Sequence, residues 1–95
     1  MLRFEWDENK NRANRKKHGV WFEEAIQCFD DAQALLFFDK DHSDEEDRFL
    51  LLGVSGSGRV LVISHCEASE GHSVIRIISA RKAKPQEVKT YEERV

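Results

Sequence analysis

The sequence predicts an α+β fold: an antiparallel four-stranded sheet plus a short N-terminal strand, two N-terminal helices and one C-terminal helix. Runs rich in apolar and β-branched residues lie in the second half of the chain. Short polar turns separate them, which requires antiparallel neighbours. Helical signals stand before and after these runs, as in α+β proteins. A chain of 95 residues supports one modest core, so residues 1–95 are predicted to form a single domain.

The N-terminal segment predicts a strand followed by a polar helix. Residues 2–6 alternate between apolar and charged side chains, which is the period of a half-buried strand. Asp7 is a suitable N-cap for a helix over residues 8–18, and Gly19 suits the position just after its end. Ala13 is the only apolar residue of this helix, so it is either a solvated helix or one that contributes a basic surface.

A second, amphipathic helix is predicted over residues 22–30. Apolar side chains recur at i, i+3, i+4 and i+7 from Phe22 to Phe29, the spacing of one helical stripe packed on a core. Trp21 stands where a capping Ser or Asp would be expected. Since indole cannot cap a helix, Trp21 either packs beside the first turn or is exposed for contact.

Four apolar runs predict the strands of the sheet: 34–38, 48–54, 59–65 and 73–82. They are connected by an acidic loop at 39–47, a tight Ser-Gly turn at 55–58 and a polar turn at 67–72. Pro85 suits the first position of the C-terminal helix. One side of that helix is formed by Val88, Tyr91, Glu92 and Val95.

The run 73–82 is predicted to be a central strand with neighbours on both sides, because it is the most apolar and β-branched stretch. Arg76 lies in its middle and Arg81 at its exit. An arginine there must reach water, a carboxylate or a phosphate to offset lost hydration. By the period of two, Arg76 shares a face with Val74 and Ile78. For Arg76 and Arg81 to act on one phosphate, the strand must end or bulge between them.

Charge is distributed unevenly along the chain, although the net charge is only −3. Residues 10–17 contain five basic side chains and no acid, and residues 76–84 contain four and no acid. Residues 39–47 contain six acids against Lys40. We therefore expect a dipolar surface on which a phosphate senses the local field rather than the net charge.

The sequence also predicts a cytoplasmic protein without metal or cofactor. No apolar run approaches the roughly 18 residues of a membrane helix, and the chain begins without a signal peptide, so no membrane partner is expected. Cys28 and Cys66 show no motif spacing and are expected to be reduced thiols. Metal-ligand spacing is absent among the four histidines, His18, His42, His65 and His72.

The remaining candidate functional residues are cations that suit the binding of a phosphodiester. Metal-independent RNA cleavage needs a group that activates the 2′-hydroxyl, a cation for the phosphorane and an acid for the leaving oxygen. Arginine suits the second task because its fork binds phosphate at two points. The candidates are the cations Arg48, Arg76 and Arg81 and the proton-handling or positioning groups Lys17, His18, Glu46 and Tyr91. The alternative is structural: Arg76 pairs with Glu46 or Glu87 and holds the sheet to a helix.

Several segments, taken in order, resemble the BrnT toxins. In the first half these are Phe4-Glu-Trp-Asp-Glu8 with Lys10 and Asn14, then Lys17-His-Gly-Val20 and Phe22-Glu-Glu-Ala25. In the second half they are Glu46-Asp-Arg-Phe49, Gly53 and Arg76-Ile-Ile-Ser-Ala-Arg-Lys-Ala83 with Tyr91. The resemblance covers nearly the whole chain, and its last motif is specific.

The resemblance implies a RelE-like fold and a toxin of a bacterial type II toxin–antitoxin module, an endoribonuclease that inhibits translation. It also implies a BrnA-like ribbon-helix-helix antitoxin, which neutralises the toxin and represses the operon together with it through operator DNA. RNA is the expected substrate, with ribosome dependence left open. The residues to which the resemblance points are Lys17, Arg48, Arg76 and Arg81, followed by His18 and Tyr91. RNA-backbone contacts are expected from Lys10, Arg12, Lys16, Lys82 and Lys84.

Two features depart from the family pattern. Trp21 stands where the motif often has Ser, which would cap the second helix. The isoelectric point of about 5.8 is low for a ribonuclease. The alternative function is a non-catalytic one: a module that docks an antitoxin helix, with the arginines as docking residues, and contributes to a DNA complex. A degenerate toxin that keeps the fold but has lost activity is a further alternative.

Overall fold

The computed structural model describes residues 2–68, 71 and 73–93. Its elements are β1 (Arg3–Glu5), α1 (Glu8–His18), α2 (Phe22–Ala25), which continues as a 3₁₀ segment (Ile26–Asp30), β2 (Leu35–Phe38), a 3₁₀ turn (Lys40–His42), β3 (Arg48–Val54), β4 (Val60–Glu67), β5 (Val74–Lys82) and α3 (Pro85–Glu92). The predicted α+β class is confirmed.

Part of the predicted turn at 67–72, and Val95, lie outside the described residues. Within the described ranges, every helix is too short or too polar to cross a membrane.

The sheet has five strands in the order β1-β5-β4-β3-β2. Strands β2 to β5 form the antiparallel meander that the turns predict. β1 pairs parallel to β5, so the sheet is mixed, and the description as a purely antiparallel four-stranded sheet with an added strand is incomplete. The reason is that no short turn joins β1 to β5, so nothing local dictates their relative direction. β5 does have neighbours on both sides, as predicted.

The two faces of the sheet are covered unequally. α1, α2 and the 3₁₀ segment form a helical layer on one face, where Phe22, Leu61 and Ile63 are fully buried. The other face, here called the open face, is covered at one end by α3, whose Tyr91 packs on Leu52 and Val62. The rest of the open face is accessible to a ligand.

A buried asparagine, rather than an apolar stripe, attaches α1 to the sheet. Asn14 is 7% exposed, and its side chain donates to Ala80 O (2.8 Å) and accepts from Ala80 N–H (3.1 Å). Its carboxamide thus bonds the β5 backbone beyond the point where β1 has ended. α1 is consequently not simply a solvated helix, although Ala13 is exposed. Its predicted ends hold: Asp7 caps the first turn, and Gly19 ends the helix with φ of 74°.

The start of α2 is capped by α1. Asn11 is fully buried, and its Oδ1 accepts from Phe22 N–H at 2.7 Å. This contact replaces the side-chain cap that Trp21 lacks. Trp21 is 44% exposed, with the Arg15 guanidinium 5.8 Å from its ring, so the exposed alternative is the one observed.

A bulge in β5 decides which face its arginines share. Ser79 pairs with Ser64 and Ile77 with His65, so Ile78 is one extra residue on the β5 side. By simple alternation, Arg76 and Arg81 would lie on opposite faces. The extra residue reverses the parity and places both arginines on the open face.

Candidate functional site

A row of side chains crosses the open face where α3 does not cover it. Glu5 pairs with Arg76, Arg76 with Cys66 and Cys66 with Arg48, on four neighbouring strands. Because neighbouring strands lie about 4.8 Å apart, the Cα atoms of Arg76 and Arg48 are separated by about 10 Å. Two arginine side chains at that spacing can reach one phosphate group.

Two of the arginines are held by carboxylates from other elements. Arg76 Nε donates to Glu5 Oε2 on β1 at 2.9 Å, and about half of each side chain is exposed. Arg81 donates from both Nη atoms to Glu87 on α3, at 2.7 and 3.0 Å. These hydrogen bonds raise the pKa of Arg76 and of Arg81, and the Arg81 bond lowers the pKa of Glu87. Arg81 therefore does hold the sheet to a helix, as the structural alternative has it for Arg76. Arg76 itself pairs with Glu5 of the neighbouring strand, and not with Glu46 or Glu87.

Arg48 has the weakest carboxylate contact of the three arginines. Glu46 Oε1 lies 3.7 Å from its Nε, which is too far for a hydrogen bond. Among the described residues, this Nε is buried without any hydrogen-bond partner. Cys66 lies buried between Arg48 and Arg76, where burial and then the nearby Glu46 carboxylate raise the pKa of its thiol. Cys66 is therefore protonated, and an incoming anion can reach the exposed part of the Arg48 side chain, which is 36% exposed, rather than its buried Nε.

Arg81 lies on the same face but farther along the sheet. It pairs with Val62, four residues along β4 from Cys66, which corresponds to about 13 Å. Glu87 also accepts from Lys84 N–H at 2.7 Å, at the start of α3. In this conformation Arg81 fastens α3 to the sheet and does not converge with Arg76 on one phosphate.

The acidic loop after β2 places a histidine beside Arg48. A cleft of about 500 Å³ is lined by Asp41, His42, Asp44, Glu45, Glu46 and Arg48. His42 Nδ1 lies 3.0 and 2.9 Å from the two carboxylate oxygens of Asp39, and 67% of the His42 side chain is exposed. The carboxylate orients the ring, and Nε2 has no hydrogen-bond partner among the residues that the structure describes. Sequence reasoning considered His42 only as a metal ligand; the Asp-x-x-His spacing was the available signal.

Lys17, His18 and Tyr91 lie apart from this row. Lys17 and His18 are in the last turn of α1, in the helical layer on the opposite face. Tyr91 is 8% exposed, and its hydroxyl donates to Asp31 Oδ2. Asp31 also accepts from Val54 N–H, so Tyr91 connects α3 to the end of β3. The structure therefore brings together Arg48 and Arg76 but not these three residues.

The other predicted RNA-binding cations are divided between the two sides of the molecule. Lys10 lines a cleft of about 270 Å³ with Arg76, Glu5 and Trp6 at the β1 edge, so it extends the row. Arg12 and Lys16 are exposed on α1, and Arg12 donates to Asn9. The remaining two, Lys82 and Lys84, are exposed where β5 leads into α3. The basic segments at 10–17 and 76–84 therefore do not form one continuous face.

His65 is a structural histidine. It is 3% exposed, its Nδ1 lies 3.2 Å from Ile63 O, and burial lowers its pKa. Its ring lies between those of Phe29 and Phe49, at centroid distances of 5.0 and 6.0 Å. In the part of the chain that the structure describes, no group of three or more His, Cys, Asp or Glu side chains is arranged to hold a metal ion.

Comparison with known proteins gives two findings. A family model described as ribonuclease toxin, BrnT, of type II toxin-antitoxin system matches residues 6–87. The crystal structure of the Brucella abortus ribonuclease toxin, BrnT, has a similar fold, with a TM-score of 0.66 and 21% sequence identity over 88% of this chain and 99% of that chain. No curated protein sequence matches the chain.

Proposed function

Because this chain belongs to the BrnT family, the ribonuclease toxins of type II toxin–antitoxin systems, we propose that it is a metal-independent endoribonuclease with its reaction centre on the open face. The observation that carries the proposal is the row in which Arg76 and Arg48 flank Cys66 beside the cleft that contains His42. The row supplies fixed positive charge, and the cleft supplies a group that can transfer a proton.

The two arginines bind the scissile phosphate. In the reaction the 2′-oxygen attacks phosphorus, the bond to the 5′-oxygen breaks, and the products are a 2′,3′-cyclic phosphate and a 5′-hydroxyl. Negative charge builds up on the phosphorane oxygens, where guanidinium donors stabilise it. Arg48 contacts the phosphate through the exposed part of its side chain, and Arg76 exchanges its Glu5 carboxylate for phosphate.

His42 takes the first proton of the reaction. The Asp39 carboxylate holds His42 Nδ1, so Nε2 is the ring nitrogen that takes the 2′-hydroxyl proton. The leaving 5′-oxygen takes its proton from the solvent. His42 lines the cleft with Arg48, which places proton transfer beside the phosphate.

The remaining cations and the partner complete the proposal. Lys10 lies beyond the Arg76 end of the row and Arg81 about 13 Å to one side of it along β5, where both bind phosphates farther along the RNA. The antitoxin is a BrnA-like protein of the ribbon-helix-helix type that neutralises the toxin in the cytoplasm and represses the operon with it. The support for this partner is family membership.

Cleavage of a fluorescent RNA by the purified, antitoxin-free chain in excess EDTA tests the proposal. We expect multiple turnovers, with a cyclic phosphate at the new 3′ end. Arg76→Ala should lower the rate by about 10²- to 10³-fold, as for the removal of other donors to a developing oxyanion. Arg76→Lys should retain part of the activity, since it keeps the charge but loses the fork.

Lys89→Ala is the matched control, because Lys89 is an exposed cation on α3 that lies outside the proposed site. It should cleave RNA at the wild-type rate. If Arg76→Ala is folded and cleaves as fast as Lys89→Ala, the assignment of the site is wrong. Cleavage that is lost in EDTA and restored by a divalent ion refutes metal independence.

One observation favours a second candidate, a non-catalytic toxin-like module. Arg76 and Arg81 already have carboxylate partners, as expected for arginines that hold a fold together. In that case the purified chain binds its antitoxin but cleaves no RNA, with or without ribosomes, and causes no growth arrest. The EDTA assay and an expression test together separate the two candidates.

A further inference from the structure

Strand β2 exposes an apolar edge. Of the large apolar side chains exposed in the described residues, Leu36, Phe37 and Phe38 are 60%, 44% and 54% exposed, and all three belong to this four-residue strand. β2 is also the last strand in the sheet order, so its outer edge pairs with no other strand of the sheet. Soluble proteins protect such edges with charges, prolines or bulges. β2 has the sequence Leu-Leu-Phe-Phe and a regular register, so it has none of these protections.

The exposed side chains of β2 point to both faces of the sheet. Leu36 and Phe38 pair with Leu51 and Phe49, which lie on the side of the helical layer. Phe37 points to the open face, where it lines a groove of about 270 Å³ together with Leu50, Leu52, Val62, Glu87 and Thr90. A strand added beside β2 would bury apolar side chains on both of its faces and would satisfy the free backbone groups of the edge.

Acidic residues flank the strand at both ends. Asp30 is exposed ahead of β2, and the loop after it exposes a set of acids: Asp41, Asp44, Glu45 and Asp47. Lys40 is the only basic residue from 30 to 47 other than His42. The charge around this edge therefore favours a partner segment that carries Lys or Arg beyond its apolar residues.

The same charges disfavour pairing with a second copy of the chain. In an antiparallel β2–β2 pair, the Phe38 end of one copy lies beside the Leu35 end of the other. The acidic loop of each copy would then face Asp30 of its neighbour. A parallel pair would bring the two acidic loops together. Like charges meet in either arrangement, so the occupant is a different polypeptide.

We propose that the antitoxin of this system binds by adding an extended segment to the outer edge of β2. The segment contains at least four consecutive residues whose side chains are apolar on both faces, with Lys or Arg at its ends. This inference rests on the proposed function for the identity of the partner as an antitoxin. It does not depend on the position of the reaction centre, because Leu36 and Phe38 lie on the opposite face from Arg48 and Arg76.

The inference is tested by measuring how tightly the cognate antitoxin binds the Leu36→Lys variant. Leu36 is the most exposed residue of the strand, so the variant folds, and a buried unpaired lysine in the interface should weaken binding by about tenfold or more. Leu2→Lys is the matched control: Leu2 is 45% exposed and lies just before β1, at the far edge of the sheet. Its binding should stay within twofold of the wild type.

Hydrogen exchange of the backbone amides gives a second readout that does not require a substitution. Strand addition protects those Leu35–Phe38 amides that face away from β3, because they become bonded to the added strand. A helix that docks in the Phe37 groove leaves these amides unprotected. Unchanged binding by Leu36→Lys, or protection confined to other parts of the chain, overturns the inference. So does concentration-dependent dimerisation of the free chain that protects β2.

RNA cleavage in the absence of antitoxin keeps this test separate from that of the function. Leu36→Lys should cleave RNA at the wild-type rate and should escape neutralisation at antitoxin concentrations that silence the wild type. If neither protein cleaves RNA, the proposed activity fails, while the binding and exchange results still decide the position of the interface.

Discussion

Glu24 provides a test of the fold that does not depend on the proposed activity. This residue of α2 accepts hydrogen bonds from Ser55 (2.7 Å) and Ser57 (2.8 Å) in the turn between β3 and β4, and it pairs with Arg59 through Nε at 2.9 Å. Arg59 also donates to Gly19 O, at the end of α1. One carboxylate therefore fastens the helical layer to the turn of the central hairpin.

The contribution of Glu24 to the free energy of unfolding follows from the shift in its pKa. The Arg59 hydrogen bond, opposed by burial and supported by both serines, lowers the pKa of Glu24 from 4.5 to about 2. At about 1.4 kcal/mol for each unit, the ionised form contributes up to about 3 kcal/mol to the free energy of unfolding. Solvent reaches the pair, since the Glu24 side chain is 20% exposed, so about 2–3 kcal/mol is expected for Glu24→Gln at pH 7.

The sign of the pH dependence is determined by the lowered pKa. The contribution of Glu24 is complete above the unfolded-state value near 4.5 and decreases as the pH falls towards 2. Urea unfolding of the wild type and of Glu24→Gln, followed by tryptophan fluorescence, measures the difference between their free energies of unfolding. This difference at pH 3 should be less than half of its value at pH 7.

The matched control is Glu93→Gln, which removes an exposed pair with Lys89 and should cost less than about 0.5 kcal/mol. A Glu24→Gln gap under about 1 kcal/mol at pH 7, or a gap that does not change with pH, would refute the reasoning.

Two further substitutions test the reaction site and the attachment of α1 to the sheet. Glu5→Gln removes the exposed partner of Arg76, an ion pair worth about 0.2–1 kcal/mol. It should raise kcat/KM for RNA by up to about fivefold at low salt, and a loss of cleavage would show instead that Glu5 is needed in the reaction. Asn14→Ala leaves buried β5 backbone groups without partners and should lower the free energy of unfolding by about 2–4 kcal/mol in urea titration. A change under about 1 kcal/mol would contradict the bridging role of Asn14.

Local signals predicted the elements well. The bounds of α1 and its two caps follow from Asp7 and Gly19, because capping depends on residues within one turn of the helix end. The start of α2 is the instructive exception. The cap that Trp21 cannot supply comes from Asn11, a residue of another helix, and no pattern within α2 indicates it.

Pairing of distant strands decided the composition of the site. The structural alternative paired Arg76 with Glu46 or Glu87, but Arg76 bonds Glu5, because the parallel contact of β1 with β5 places these two side chains side by side. His42 entered the site for the same kind of reason: the loop folds back so that Asp39 and Arg48 both lie near it. The placement of Lys17 on the opposite face depends on how α1 crosses the sheet.

The sequence by itself determined the α+β class, the approximate positions of the elements and the family, since these depend on periodicity, capping and motifs that are local in the chain. The helix predicted over 22–30 is α-helical only over Phe22–Ala25 and continues as a 3₁₀ segment. Tertiary structure alone decided which arginines share a face. The run 73–82 predicted that Arg76 and Arg81 could act on one phosphate only if the strand ended or bulged between them. The extra residue Ile78 is that bulge and places both arginines on the open face, where they lie too far apart to share one phosphate. The physical reason is that side chains alternate along a strand by local geometry, whereas the register with a neighbouring strand, and hence the bulge, is set by packing over the whole sheet.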